Sequence, residues 1–291
     1  MESIKFLGNL YDSSYDISDR SQIEYFQNIL DSLRLNIKSL MKTLTTPCEE
    51  LLEMCYWKGT KVNCSKIFFL RLTYEGYCCT FNYFKNISDW SMSQDADLTY
   101  GESGFQNGLS VIVNHDPDDY YCTVISSMGI NVHIFHPNDY PDKSSGGLIE
   151  IMNNIGSENF LEIIPTTINA VEDVMNYPVD KRRCLFKSEQ QTQFGIYTQS
   201  DCFVDCRLNS MMGLCQCIPF TIPWSTKSTV CTLRELPCLN KYKGKWGSLV
   251  PDMKDDIVMR EQEDALSCHE TCYPSCEVTL YEVSTFNVPL F

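Results

Sequence analysis

The sequence predicts an α+β fold, and three features of the chain support this prediction. A stripe of apolar residues at helical spacing lies near the N-terminus, and segments that alternate apolar and polar residues fill the middle. Cysteines are concentrated towards the C-terminus. With 291 residues, the chain is long enough for one elaborated domain or two modest ones.

Composition and charge exclude two classes of protein. Hydrophobic residues at 43% and charged residues at 21% are ordinary for a folded protein and exclude wholesale disorder. The net charge of −15 argues against nucleic acid as a partner, because a phosphate backbone requires a basic surface. The 16 cysteines favour an oxidising setting, either secreted or on the cell surface.

The N-terminal stripe predicts one helix from about Ser21 to Thr45. Ser21 and Glu24 have the spacing of a capping box, and Pro47 follows the expected end of the helix. Apolar residues recur in steps of three and four, at Ile23, Phe26, Leu30, Leu33, Ile37, Leu40 and Leu44. Packing against the protein's own body is favoured over a coiled coil, because three heptads are short.

The middle of the chain reads as strands. A compact cysteine-rich turn is expected between Cys48 and Cys64, before the strands begin. The predicted strands cover residues 67–70, 76–82, 108–114, 129–135 and 160–164, the last of which is ended by Pro165. Since no cysteine lies between Cys122 and Cys184, an ordinary core is expected to hold this region.

Ten of the cysteines lie between Cys184 and Cys276. One helix is expected from Ser200 or Asp201 to a stop at Gly213, and a second over much of 252–271. The loop between them holds Cys215, Cys217, Cys231 and Cys238.

Cysteine spacing predicts a ladder of disulfides between the two helices. Cys202 and Cys206 are four residues apart and share a helix face, and Cys268 and Cys272 have the same spacing. In antiparallel helices, paired positions keep a constant sum of residue numbers. The predicted pairs are therefore Cys202–Cys272 and Cys206–Cys268, with Cys217–Cys231 nested inside Cys215–Cys238 and Cys184–Cys276 at the base.

No metal centre, cofactor site or catalytic signature is predicted. The chain has no C-x₂-C pair, and its four histidines, His115, His133, His136 and His269, are scattered. Acidic runs such as 116–119 lack the pattern of a calcium loop and are interpreted as solvated turns. A hydrogen-bonded structural role is favoured for His133 and His136 over titration. The chain is therefore not expected to be an enzyme.

Two asparagines are candidate glycosylation sites in an exported chain. Asn86 lies in Asn-Ile-Ser, and Asn63 lies in Asn-Cys-Ser. Asn63 is the weaker candidate, because its neighbour Cys64 is expected to be bonded.

Several motifs together resemble the degenerin/epithelial sodium channel superfamily, and most closely its insect pickpocket-like branch. The resemblance covers nearly the whole chain from about Phe6. The first motif is the order of Cys55, Trp57, Gly59 and Cys64, and the second is Gly-Tyr-Cys-Cys-Thr-Phe-Asn at 76–82. Further matching segments lie at 108–111, at Tyr120-Tyr121, at 129–136 and at Asp-Tyr-Pro-Asp, residues 139–142. The last matching segments are 197–206 and 215–220.

The resemblance implies a hand-like extracellular domain with a β-rich palm and β-ball core, a helical finger and a two-helix thumb. The finger would cover residues 1–74, the palm and β-ball 75–183, the disulfide-rich thumb 184–276, and a returning palm strand 277–291. The family pairs its thumb cysteines as the spacing predicts, and it implies a Cys55–Cys64 bond in the finger.

In function, the resemblance implies a subunit of a trimeric, voltage-insensitive sodium or cation channel, with amiloride as the usual blocker. The partners would be sister subunits in a homo- or heterotrimer, sodium ions and an extracellular ligand. The domain would lie on the extracellular side of the plasma membrane.

The sequence also departs from the family pattern. No apolar run of about 18 residues is present, so the family's two membrane helices are not expected in this sequence. The selectivity filter that the second helix would carry is missing with them, and no conducting residue can be named. The chain is therefore expected to be truncated at both ends. The family's partner for Cys78 is missing too, and the pairing of Cys48, Cys78, Cys79 and Cys122 stays open. The alternative is a freestanding secreted, disulfide-rich ligand-binding or decoy protein.

Overall fold

The computed structural model describes residues 2–11, 20–83, 104, 106–119, 128–143, 147–222, 229–247 and 268–290. The helices are α1 (Arg20–Ser32), α2 (Ile37–Leu44), α3 (Cys48–Leu51), α4 (Cys64–Ile67), α5 (Val179–Arg182), α6 (Gln199–Cys215), α7 (Leu236–Gly247) and α8 (Cys268–Thr271). Short 3-10 segments at Glu2–Leu10, Pro117–Asp119, Glu172–Asn176 and Leu233–Glu235 complete the helical part.

The strands form five small antiparallel sheets. They are β1 (Leu52–Trp57), β2 (Thr60–Val62), β3 (Phe68–Thr73), β4 (Gly76–Phe81), β5 (Leu109–Val113), β6 (Gly129–Phe135), β7 (Leu148–Asn154), β8 (Ser157–Asn169), β9 (Gln191–Thr192), β10 (Gly195–Ile196) and β11 (Glu277–Pro289). One sheet has the order β2-β1-β5, and the pairs β3-β4, β6-β7, β8-β11 and β9-β10 form the others. This mixture of helices and strands confirms the predicted α+β class.

The N-terminal stripe is divided between two helices rather than carried by one. The chain turns after α1 at Arg34, whose φ of 53° is left-handed, and Asn36 caps α2 by accepting a hydrogen bond from the Ser39 N–H. The helix also begins at Arg20, so Ser21 lies inside the first turn and not before it. The predicted single helix from about Ser21 to Thr45 was therefore wrong in its continuity, because the chain turns between Ser32 and Ile37.

The stripe packs against the chain itself, as predicted. Ile23, Leu30 and Ile37 are buried together with Phe220 and Leu236, which belong to the cysteine-rich part of the sequence. Leu33 and Leu44, at the turn and at the end of α2, stay 62% and 52% exposed. The N-terminal helices and the cysteine-rich part thus share one hydrophobic core.

An ordinary core was predicted for the strand-rich middle, and Tyr140 is its described residue that belongs to a buried hydrophobic cluster. No residue of β6, β7 or β8 belongs to the buried hydrophobic clusters within the described part of the chain. Isolated two-strand ribbons cover little of each other's faces, and Ile163, Ile164 and Ile168 are accordingly about half exposed. The region is attached instead through Tyr140, which is 1% exposed.

Two predicted boundaries were also wrong. Strand β8 continues through Pro165 to Asn169. In the described structure β8 pairs with one other strand, so its second edge is open. Proline, which has no N–H to donate, is tolerated at such an edge. Helix α6 passes Gly213 and ends at Cys215, where Gln216 adopts the left-handed conformation with a φ of 57°.

The cysteine-rich segments contain regular structure that the sequence did not reveal. Strands β1 and β2 occupy the predicted turn between Cys48 and Cys64, and helix α7 occupies the predicted loop around Cys238. The predicted helix over 252–271 lies largely outside the described residues, which include only its last turn, α8.

Candidate functional site

Disulfides clamp the part of the chain between Cys184 and Cys276, which we call the arm. Cys202 and Cys206 lie on one face of α6, and they face Cys268, which begins α8, and Cys272, which follows its last residue. The structure contains the arm disulfides Cys184–Cys276, Cys202–Cys272, Cys206–Cys268, Cys215–Cys238 and Cys217–Cys231. All five join the residues that the spacing paired, although Cys238 lies on a helix and not in a loop.

The base of the arm continues directly into the longest ribbon of the molecule. Cys276 is bonded to Cys184 and is followed at once by β11, which starts at Glu277. The Cys276 N–H donates to Leu185 O at 2.9 Å, and the Ala170 N–H donates to Cys276 O at 3.1 Å. Because β8 and β11 pair over 13 residues each, the clamp is attached to a ribbon about 40 Å long.

A buried tyrosine near the arm's base completes this junction. Tyr197 has no exposed surface and donates its hydroxyl hydrogen bond to Tyr273 O, beside Cys272. Burial raises the pKa of Tyr197 to about 12, so the hydroxyl keeps its proton and remains a donor. Gln199 adds a hydrogen bond from Nε2 to Cys272 O at 3.2 Å.

The arm also holds helix α1 through a polar contact. Arg234 donates to Glu24, Asp31 and Asn28 of α1 at 2.8, 2.7 and 2.7 Å. Gln27, only 1% exposed, accepts from the Leu233 N–H at 3.2 Å. Its own amide donates to Asp31 at 2.8 Å. Sequence analysis missed this contact, since nothing in the local pattern relates residues about 200 positions apart.

A second anchor joins the arm to the segment after β6. Tyr140 donates its hydroxyl to Thr221 O at 2.8 Å and accepts at its carbonyl from Ser200 Oγ at 2.9 Å. Asp142, 2% exposed at its side chain, forms an ion pair with Arg207 of α6. Two buried residues of the Asp-Tyr-Pro-Asp motif, Tyr140 and Asp142, thus contact the arm.

A sixth and a seventh disulfide lie outside the arm. Cys55 is bonded to Cys64, and Cys48 is bonded to Cys79. The Cys48–Cys79 bond resolves an assignment that the sequence left open. A usable signal was the strand period of two, because Cys79 and Phe81 share one face of β4 and both contact the cluster around Cys48.

Cys78 points to the other face of β4 and carries a free thiol. Burial raises its pKa, although the Thr73 hydroxyl at 3.1 Å opposes the shift. Cys122 lies outside the described residues.

The two candidate glycosylation sites differ in what the structure describes. Asn63 is exposed and caps α4, and its Oδ1 accepts from the Ser65 N–H at 3.0 Å and from Ser65 Oγ at 2.9 Å. Cys64 beside it is buried in its disulfide, as expected. Asn86 lies outside the described residues.

Two of the histidines, His133 and His136, lie beside carboxylates. His133 lies in β6 between Glu75 and Glu150, and His136 follows the strand with Nδ1 3.6 Å from Asp139. Within the described residues, the group of Glu75, His133 and Glu150 has the composition and spacing of a metal site. The side chain of His269 is not among those described.

These observations define a class: a disulfide-stabilised α+β protein with a clamped arm. None of the helices within the described residues combines the length and apolar character that a membrane crossing requires. Comparison with known proteins then identifies the family. The amiloride-sensitive sodium channel family model matches residues 2–290, so the chain belongs to that family, which is one of plasma-membrane ion channels and not of enzymes.

Individual relatives agree with this assignment. The chain is 27% identical to the sodium channel protein Nach of Drosophila melanogaster, over 97% of this chain and 51% of that protein. It is 24% identical to pickpocket protein 28 of the same species, over 85% of this chain and 44% of that protein. The human epithelial sodium channel subunit beta is 22% identical over 83% of this chain and 34% of that subunit.

The chain spans about half the length of the curated Nach relatives it matches. The resemblance to degenerin and epithelial sodium channels, and to the pickpocket branch, is confirmed.

Proposed function

We propose that this chain is the extracellular part of a trimeric, voltage-insensitive sodium or cation channel subunit. In this proposal it transmits an external stimulus to a pore that other parts of the full-length subunit form. Its partners are sister subunits and an extracellular ligand, and its role is mechanical rather than catalytic. The family assignment supports the channel, and the seven disulfides support an extracellular location.

The observation that carries the proposal is the continuity between the arm and the β8–β11 ribbon. The Cys184–Cys276 bond lies at the arm's base, and β11 leaves it without an intervening loop. A displacement of the arm therefore moves one end of the ribbon. A flexible loop at this point would absorb the same displacement.

We assign the parts of the hand as the resemblance implies. The finger covers 1–74, the palm and β-ball 75–183, the thumb 184–276, and a returning palm strand begins at 277. In this assignment the thumb is the arm, and Arg234 joins it to the finger through α1. Asn63 and Asn86 are assigned as sites that carry N-linked glycans on the extracellular surface.

The test is to express the full-length transcript in oocytes and to record sodium currents with and without amiloride. We expect an amiloride-blocked sodium conductance that does not depend on voltage. The double variant Cys184→Ser with Cys276→Ser should change the current divided by the number of subunits at the cell surface. Surface biotinylation measures that number. The matched control is Cys55→Ser with Cys64→Ser, which removes a bond remote from the ribbon and should leave the current per subunit nearly unchanged.

Two results would contradict the proposal. The first is a subunit at the surface that conducts no sodium alone or with sister subunits. The second is release of the intact chain into the medium, which would favour the freestanding ligand-binding protein.

A further inference from the structure

Three chain segments bring a histidine and two carboxylates together. Glu75 lies in the turn between β3 and β4, and His133 lies on β6 directly opposite Glu150 on β7. His133 Nε2 is 3.2 Å from Glu75 Oε2 and 3.8 Å from Glu150 Oε1. Two hairpins that belong to different sheets therefore meet at this cluster.

The cluster gathers polar atoms around His133 Nε2. Asn131 directs its amide nitrogen to both Glu75 oxygens, at 3.3 and 3.1 Å, and to His133 Nε2 at 2.9 Å. In the tautomer that carries its proton on Nδ1, Nε2 offers its lone pair to the same centre as the two carboxylates. Lys143 binds Glu150 through the other oxygen, Oε2, at 2.6 Å.

Glu150 Oε1 is the atom without a partner. It is buried and has no hydrogen-bond donor, and it points towards His133. Because this oxygen is itself buried, bulk water does not compensate for the missing donor. A positive charge between these three atoms would satisfy all of them at once.

We propose that Glu75, His133 and Glu150 bind one zinc-like divalent metal ion. Zinc bonds to nitrogen and oxygen at about 2.0–2.2 Å, which places tetrahedral ligand atoms about 3.3–3.6 Å from one another. The observed separations of 3.2 and 3.8 Å bracket that range. A nitrogen ligand and a low ligand number favour zinc over calcium or magnesium, which prefer six or more oxygens.

The surroundings allow an ion to enter and to act. The Glu75 side chain is 36% exposed, so an ion can reach the cluster from solvent on this side. Water would supply the ligand that the three side chains do not provide to a four-coordinate ion. A bound ion would link the β3–β4 turn to the β6–β7 hairpin, so it would stiffen a region without a continuous core. The inference is independent of the proposed channel function.

The test uses the secreted, oxidised chain after removal of metal. Titration calorimetry with Zn²⁺ should show one saturable site, and Co²⁺ should give the visible absorption of a four-coordinate nitrogen and oxygen site. His133→Ala should weaken zinc binding by more than the roughly 10–100-fold loss typical of an outer-shell change. Glu75→Gln, at a partly exposed turn, keeps the test valid if His133→Ala unfolds the chain, and should weaken binding likewise.

Two further variants sharpen the test. His136→Ala removes a histidine three positions away, beside Asp139, and should leave zinc affinity unchanged. Lys143→Met removes the cation that competes for Glu150 and should tighten zinc binding. Zinc binding that survives both His133→Ala and Glu75→Gln would overturn the proposal, as would the absence of a saturable site or equal affinity for Ca²⁺.

Discussion

At the scale of single residues, polar side chains at long sequence distance decide how the helices meet the arm. Gln27 reads as a helix-surface residue in sequence, yet it is buried and accepts a hydrogen bond from the backbone of Leu233. Arg234 and its three partners on α1 surround this contact. Each exposed ion pair contributes little to the free energy of unfolding. Together the pairs fix the orientation of α1 against the arm.

Asp31 provides a residue-level prediction. The hydrogen bond from Gln27, followed by that from Arg234, lowers the pKa of Asp31 below its ordinary value. The charged form therefore stabilises the contact above the ordinary pKa, and this contribution is lost as the pH falls through the lowered pKa. Arg234→Met should raise the Asp31 pKa part of the way back, which carbon NMR of the carboxyl group measures. Lys187→Met removes a positive charge that does not contact Asp31, and it should leave the Asp31 pKa unchanged.

At the scale of elements, strand pairing depends on one close backbone approach. A Cβ at Gly129, the first residue of β6, would lie 2.3 Å from the carbonyl oxygen of Asn153. Gly108, just before β5, has nothing within 4 Å of the same position. The two glycines therefore occupy opposite steric environments beside otherwise similar strands.

We expect alanine at these positions to act in opposite directions. Gly129→Ala should destabilise the chain by about 1–3 kcal/mol, because the β6–β7 pair must shift to admit the methyl group. Gly108→Ala should stabilise it by about 0.4–1 kcal/mol through the unfolded state. Guanidinium unfolding monitored by circular dichroism measures both, and equal effects would refute the steric explanation.

The two disulfides outside the arm differ in the length of chain they close. Cys48–Cys79 spans 31 residues and Cys55–Cys64 spans 9. On the chain-entropy model, removing the first with two serines should cost about 3.7 kcal/mol and removing the second about 2.6 kcal/mol. Denaturant unfolding of the two double variants tests this order. A larger loss for the shorter loop would show that packing around Cys55, which has no exposed surface, outweighs loop entropy.

At the scale of the whole molecule, the arm is the hub to which the other parts attach. It shares a core with the N-terminal helices, continues into the β8–β11 ribbon, and holds the β6–β7 region through Tyr140 and Asp142. The last attachment places Tyr140 in a buried hydrophobic cluster with residues of the arm. Its loss should therefore lower the free energy of unfolding of the whole chain.

Asp142→Asn tests this attachment. Removing one charge of a buried pair takes the Asp142 carboxylate away from the Arg207 guanidinium and should cost about 3–5 kcal/mol. Lys187→Met breaks an exposed pair with Glu277, at 3.5 Å, and should cost about 0–1 kcal/mol. Thermal unfolding by calorimetry compares them. Similar losses in the two variants would mean that the segment around Asp142 is held by other contacts.

The sequence by itself determined the α+β class, the family, the apolar stripe and the spacing that pairs the arm cysteines. The family follows from the resemblance of its motifs, and the other properties follow from periodicities of two, three and four residues, which local geometry imposes on any chain. Only the tertiary structure decided that α1 and α2 separate at Arg34, that Cys48 meets Cys79, and that Gln27, Arg234 and the cluster around His133 come into contact. Such contacts depend on how distant segments pack, because no local pattern encodes which of many polar side chains will face one another.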